Sequence, residues 1–304
     1  MNAFKPFRAL PVVVTCLTAI LMGGCSSIQL VNNVSKVYQV EVNNNLPVGH
    51  GSRLAYDLYL PNKPASQTAS TPVIVFFYGG SWNRGSRSEY EFVGRRLASE
   101  GYIVAIPDYR LYPEVKYPDF LIDGAKSVNA LIDELRNPRY AALRPSKKVV
   151  LMGHSAGAYN AAMLAYDPRW LKETAQSSSV VAGFIGLAGA YNIYPIKDQE
   201  VQPVFHHPNY PEQSQPIEFV NNTAPASLIV APEQDTILST ERNSQALHQA
   251  LTKAGGQSTL VTVSSTDHVT LIGTLSPLLF FKGSTMKPIQ NFILHLANTG
   301  MLNN

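Results

Sequence analysis

Residues 149–158 read Val-Val-Leu-Met-Gly-His-Ser-Ala-Gly-Ala, and the reading of this stretch decides the fold. The aliphatic run 149–152 is of the kind that fills a strand buried on both faces of a sheet. Gly153 ends it, and the small residues of 156–166 predict a helix. Ser155 therefore stands in G-x-S-x-G at a strand-to-helix turn, a strained geometry that leaves the hydroxyl exposed above a parallel sheet. Glycine is needed at 153 and 157 because a Cβ at either position would crowd the strand and helix that meet there. The five residues also suit an ordinary turn with a solvent-facing serine. The apolar strand before them and the helix after them favour a nucleophile.

Outward from this turn, strands and helices alternate. Apolar runs predict strands over 73–77, 103–106, 180–187, 227–230 and 259–263. Amphipathic stretches predict helices over 89–100, 118–137, 240–254 and 288–297, two of them stopped by Gly101 and Gly255-Gly256. Such alternation predicts an α/β fold with a mostly parallel sheet and helices on both faces. Residues 36–42 and 54–60 alternate in polarity and predict an antiparallel first pair joined by 43–52. With no internal repeat and no shift in composition, 36–304 reads as a single domain. A chain of 304 residues that is 45% hydrophobic has ample apolar material for one core. A net charge of +3 without a dense Lys/Arg cluster offers nucleic acid no electrostatic footprint. Cys16 and Cys25 are the only cysteines, so neither a disulfide framework nor a thiolate metal site can be built in the body of the chain.

A serine nucleophile needs a base, a group to orient that base, and donors for the oxyanion. The donors are expected from Phe77-Tyr78-Gly79-Gly80-Ser81-Trp82, where a buried strand ends on the side at which such sheets bind ligands. Gly80 and Ser81 are the first choices, Gly79 shapes the turn, and the Ala156 N–H completes the hole. A plain Gly-Gly turn is the bland alternative. Among seven histidines, His268 alone follows a predicted strand at a loop. His154 lies inside the turn, packed beside the serine; His50, His206 and His207 read as surface residues; His248 and His295 fall within helices. Asp235 leaves the strand 227–230 and is the expected orienter, with Glu233 its rival on the same loop. Asp267 adjoins the histidine it would have to hold. The order Ser155, Asp235, His268 suits groups leaving successive strand ends. Asp108 and Arg110 read as a buried ion pair below the site. The long Pro-rich stretch 190–222 reads either as a pocket wall or as a surface excursion.

At these residues the chain resembles the α/β-hydrolase fold family. More narrowly, it is similar to bacterial carboxylesterases related to hormone-sensitive lipase, feruloyl-esterase-like proteins and kynurenine formamidase, over roughly 50–298. FYGGSW (77–82) resembles the family's HGGxW loop, with Tyr78 in place of its histidine. DYRLYPEVKYPDFLIDGA (108–125) resembles its DYRLxP segment, and GHSAGA (153–158) its serine turn. The resemblance implies a catalytic triad of Ser155, Asp235 and His268 and an oxyanion hole from Gly79, Gly80 and Ser81. It implies hydrolysis of a small-molecule ester without metal or organic cofactor. An amidase or formamidase with the same triad is the enzymatic alternative; a non-catalytic envelope protein that uses the fold for binding is the other.

Residues 1–24 read as a lipoprotein signal peptide. Lys5 and Arg8 precede the apolar stretch 9–22, which suits a secretory core and is short for a membrane span. It runs into Leu21-Met22-Gly23-Gly24-Cys25, which resembles the bacterial lipobox and implies lipidation of Cys25. Ordinary cleavage with Cys25 as a bystander is the alternative. Ser26, in place of an aspartate, implies sorting to the outer membrane. The polar stretch 25–35 is expected to be a tether between a lipid on Cys25 and the domain.

Overall fold

The computed structural model describes residues 24–48, 54–64, 69–174 and 177–303, with side chains from 27 onward. In chain order its main elements begin with α1 (Gly24–Ser35), β1 (Glu41–Pro47), β2 (Ala55–Leu60), β3 (Thr71–Phe77) and α2 (Glu91–Ser99). There follow β4 (Ile103–Pro107), α3 (Asp119–Glu134), β5 (Pro145–His154), α4 (Ala156–Tyr166) and α5 (Pro168–Glu173). The chain closes with β6 (Val181–Leu187), β7 (Ala226–Pro232), α6 (Ala246–Lys253), β8 (Ser258–Val263), α7 (His268–Gly273) and α8 (Met286–Asn298). A π-helical turn, Glu241–Gln245, leads into α6.

The eight strands form one sheet in the order β1-β2-β4-β3-β5-β6-β7-β8. β1 and β2 pair antiparallel, as do β2 and β4, and every other neighbouring pair is parallel. This is the α/β-hydrolase fold. All seven residues of β3, of β6 and of β7 are buried, which is why their sequences are unbroken apolar runs without alternation. Helix α4 is buried on every side, and only residues as small as its alanines let it lie so close to the sheet.

Two expectations need correction. The stretch read as a tether is the helix α1. Ile28 and Val31, one helical turn apart, pack against the core, and Ser35 is fully buried. Asn32 fastens α1 to the next layer: its amide donates to the Ser88 carbonyl (2.8 Å), and its Oδ1 accepts from the Phe92 N–H (3.1 Å). The latter satisfies one of the orphan N–H groups in the first turn of α2. An Asn/Ser-rich composition concealed this periodicity. The first strand, expected over 36–42, is β1 at Glu41–Pro47. Its ladder starts where Glu41 meets Leu60, the last residue of β2, so the preceding residues have no partner strand. Residues 1–23, read from the sequence as part of a signal peptide, and His50 lie outside the described residues, and so does the side chain of Cys25. Among the described residues no helix is long and apolar enough to cross a membrane.

Candidate active site

Ser155 sits between β5 and α4 with φ 55° and ψ −122°, a conformation that side chains rarely adopt. Close packing imposes it. A Cβ on Gly157 would lie 2.1 Å from the Phe77 carbonyl oxygen, and one on Gly153 would lie 2.3 Å from the Gly157 oxygen. The turn therefore rests directly on the end of β3. The Ser155 N–H donates to the Leu187 carbonyl (3.0 Å), and Ala156, the first residue of the helix, lines the cavity beside it.

The structure brings the three predicted residues together. His268 Nε2 lies 2.8 Å from Ser155 Oγ, and His268 Nδ1 lies 2.9 Å from Asp235 Oδ2. The imidazole and the carboxylate are almost wholly buried, with side-chain exposures of 6% and 2%. Burial works to raise the Asp235 carboxyl. Hydrogen bonds from His268 and from the N–H groups of Leu238 and Ile237 outweigh it and hold the group below the usual carboxylate range. With Nδ1–H donated to Asp235, Nε2 is free to accept the serine proton.

The neighbouring acids do other work. Glu233 accepts the Ser265 N–H (2.8 Å) and so braces the loop that carries the histidine. Asp267 caps α7, accepting the N–H groups of Val269 (3.0 Å) and Thr270 (2.8 Å). Three further histidines are engaged elsewhere, His206 at the Tyr117 carbonyl, His207 at Tyr210 and His248 at Ser258, and His295 is exposed on α8. His154 lies beside His268, its Nε2 2.9 Å from the His268 carbonyl oxygen. Burial, reinforced by the neighbouring His268, pushes its pKa down to about 3. The ring is therefore neutral at ordinary pH, and its Nε2–H donates to that carbonyl.

The loop after β3 is held at both ends. Gly80 has φ 131°, and a Cβ there would lie 2.2 Å from the Arg84 oxygen, so this position requires glycine. Ser81 (φ 52°) and Trp82 (φ 58°) continue the left-handed turn. Among the described residues the N–H groups of Gly80 and Ser81 have no backbone acceptor, as a pair of oxyanion donors requires. Trp82 donates from Nε1 to Asn160 Oδ1 on α4 (2.9 Å) and lies edge-on to Tyr159 and Phe205. At the other end the Tyr78 hydroxyl donates to Asp108 Oδ1 (3.0 Å).

Asp108 does not pair with Arg110, as the sequence suggested. It pairs with Arg87, which also holds Asp57 (3.0 Å) and bonds Asn45. Arg110 turns instead to Asp123 on α3 (2.8 and 2.9 Å). Each side chain finds a partner delivered by a distant element, and proximity along the chain says nothing of that.

Beside Ser155 opens a cavity of about 490 Å³. Ser81 and Trp82 line it together with Ile193, Ile196 and Val201 and with Ile237 and Leu238. Part of the stretch 190–222 is thus a pocket wall. Among the described residues no cluster of His, Cys, Asp and Glu is arranged to hold a metal ion.

Comparison with known proteins agrees with this fold. The chain is 29% identical over 205 residues to the isoprenylcysteine alpha-carbonyl methylesterase ICME of Arabidopsis thaliana, covering 64% of this chain and 46% of that protein. It is 26% identical to the kynurenine formamidase of Danio rerio, covering 75% of both. The chain spans less than half the length of the plant methylesterases it matches. Among solved structures, a truncated carbohydrate esterase from gut microbiota superposes with a TM-score of 0.69 at 17% identity, over 85% of this chain and 96% of that one. Esterase 2 of Thermogutta terrifontis superposes with a TM-score of 0.66 at 21% identity, over 87% and 96%. A family model described as BD-FAE matches residues 56–251. That span runs from β2 through α6 and contains the Gly79-Gly80 loop, Ser155 and Asp235, and on it the chain belongs to the BD-FAE family.

Proposed function

We propose that this chain is a serine hydrolase of carboxylic esters that works through an acyl-serine intermediate. The observation that carries the reading is one imidazole spanning Ser155 Oγ and Asp235 Oδ2 at hydrogen-bond distance on both sides. His268 takes the proton of Ser155 as the oxygen attacks the ester carbonyl, and Asp235 keeps the ring in the tautomer that can do so. The N–H groups of Gly80, Ser81 and Ala156 receive the oxyanion, each such donor being worth about 3–4 kcal/mol in the transition state. His268 then returns the proton to the leaving alcohol, and water, activated by the same base, releases the acid. The likeness to a kynurenine formamidase over three quarters of both chains supports a second reading, formamide hydrolysis by the same groups.

A fluorophosphonate probe tests the nucleophile. The wild type should label stoichiometrically, and Ser155→Ala should not label at all while keeping its circular dichroism spectrum. Labelling of the variant would move the nucleophile elsewhere. Acetate, butyrate and octanoate esters run beside an aryl formamide then decide between ester and amide.

The same reading includes an anchor: a lipid on Cys25 that holds the protein at the bacterial envelope, at the outer membrane and facing the periplasm. It is supported by the apolar stretch 9–22 running into Gly23-Gly24-Cys25, with Ser26 following. A single acyl chain binds a membrane marginally, whereas the two or three chains of a lipoprotein hold it stably. Mass spectrometry of the mature N-terminus should find Cys25 first, carrying added acyl mass. An unmodified Cys25, or a chain beginning elsewhere, would make this an unanchored protein.

A further inference from the structure

The cavity beside Ser155 is mostly apolar, yet two cations line it, Lys197 and Arg242. Asp198 is the one carboxylate that lines it with them, and its Oδ1 is already engaged by the Glu200 N–H (2.8 Å). The carboxylate of Asp235, nearby, is turned to His268 and buried. The balance of charge facing the cavity is therefore positive.

Arg242 is the more telling of the two. It is half-buried, and among the described residues no carboxylate lies within ion-pair distance of its guanidinium. Neither does any side chain or carbonyl accept from it; only its backbone N–H is engaged, by Ser239 Oγ (3.1 Å). Most of the other described arginines are paired with an acid, including fully surface ones such as Arg136 and Arg139. A guanidinium left partly desolvated and unpaired beside a reactive serine is available for a ligand.

Its position is also fixed in advance. Arg242 belongs to the π-helical turn Glu241–Gln245, a wide turn often found at functional sites. The next residue, Asn243, is buried and its Oδ1 accepts the N–H groups of Tyr191 (2.8 Å) and Asn192 (3.0 Å). That clamp fastens the turn to the pocket wall, so the guanidinium is presented from a rigid support, which lowers the cost of ordering it on binding.

We propose that this cavity selects esters bearing a carboxylate or a comparable anionic group, and that Arg242, assisted by Lys197, receives that group. The proposal rests on the ester-hydrolase reading and adds to it the class of substrate. A guanidinium matches a carboxylate with two parallel N–H donors, and the apolar walls, Trp82, Ile193 and Val201, take up the neutral part of the molecule. Arg242 acts on binding, so its effect belongs in KM more than in kcat.

Two matched pairs of esters test this and locate the anion. Monoethyl glutarate against ethyl pentanoate places the carboxylate on the acyl side; 4-acetoxybutanoate against butyl acetate places it on the alcohol side. In at least one pair the wild type should favour the anionic member in kcat/KM by about tenfold or more at low salt, the size of a charge-assisted hydrogen bond. Arg242→Gln should bring that ratio down by about tenfold, and 0.5 M salt should shrink it in the wild type without any substitution. The ratio within a pair is the readout, so a general loss of rate in the variant does not imitate the effect. If the variant does not fold, the salt dependence of the wild type still decides. Equal or better use of the neutral ester in both pairs would overturn the proposal, as would a ratio that survives Arg242→Gln. Should none of the four esters be hydrolysed, the ester reading itself fails. Calorimetric titration with monoethyl glutarate then decides the anion site: binding abolished by Arg242→Gln supports it, and no binding to the wild type removes it.

Discussion

Asp235→Asn should lower kcat for ester hydrolysis by about 10⁴-fold, the loss seen when a triad histidine is left in the wrong tautomer. The amide nitrogen of an asparagine would present N–H to His268 Nδ1, so the ring would carry its proton on Nε2 and could not accept one from Ser155. Glu233→Gln should cost far less, because Glu233 touches the backbone N–H of Ser265 and no part of the imidazole. Steady-state rates of the two variants on one ester check the ranking. If Glu233→Gln proved the more damaging, the orienting role would pass to Glu233.

The second large effect is on stability. Arg87→Ala should destabilise the protein by about 3 kcal/mol, since removing one partner of a buried ion pair strands the other. Here it strands two. The side chains of Asp57 and Asp108 are 9% and 7% exposed and both lean on this guanidinium. Their remaining donors, the N–H groups of Asn45 and Arg87 and the hydroxyl of Tyr78, temper the loss without replacing a cation. Arg84→Ala is the control, because its pair with Glu200 is more than 60% exposed on both sides and should not move the denaturation midpoint. Urea unfolding of both variants measures the difference. An unchanged midpoint for Arg87→Ala would mean that the network under the Tyr78 loop supports nothing. Activity of the same variant should fall as well, since Asp108 is what the Tyr78 hydroxyl holds.

What the sequence made legible were features that obey local rules. A strand buried on both faces must be a continuous apolar run, so β3, β5, β6 and β7 announce themselves, and the residues just beyond their ends locate the loops of a site. Ser155, Asp235 and His268 are each found that way. Partnerships made across the fold leave no such mark. Nothing near Asp108 points to Arg87, 21 residues earlier, and Arg110 is two residues from Asp108 yet bonds Asp123. Helix α1 looked like a tether because its contact with the body runs through few apolar residues and one asparagine, too little to register as a pattern. The stretch 190–222, of which part walls the pocket, has little regular structure, so its place depends on where β6 and β7 deliver its two ends.

The separation of Ser155 from the ring that touches it, 113 residues, sets when the site can exist. A chain built from its N-terminus carries the serine by mid-length, while the histidine arrives after β8, the last strand of the sheet and one of its two margins. On the proposed mechanism, until β8 has docked along β7 the serine is an ordinary alcohol with no base in reach. The same mechanism leaves the chain inert through most of its own making, its serine armed only when assembly is nearly finished.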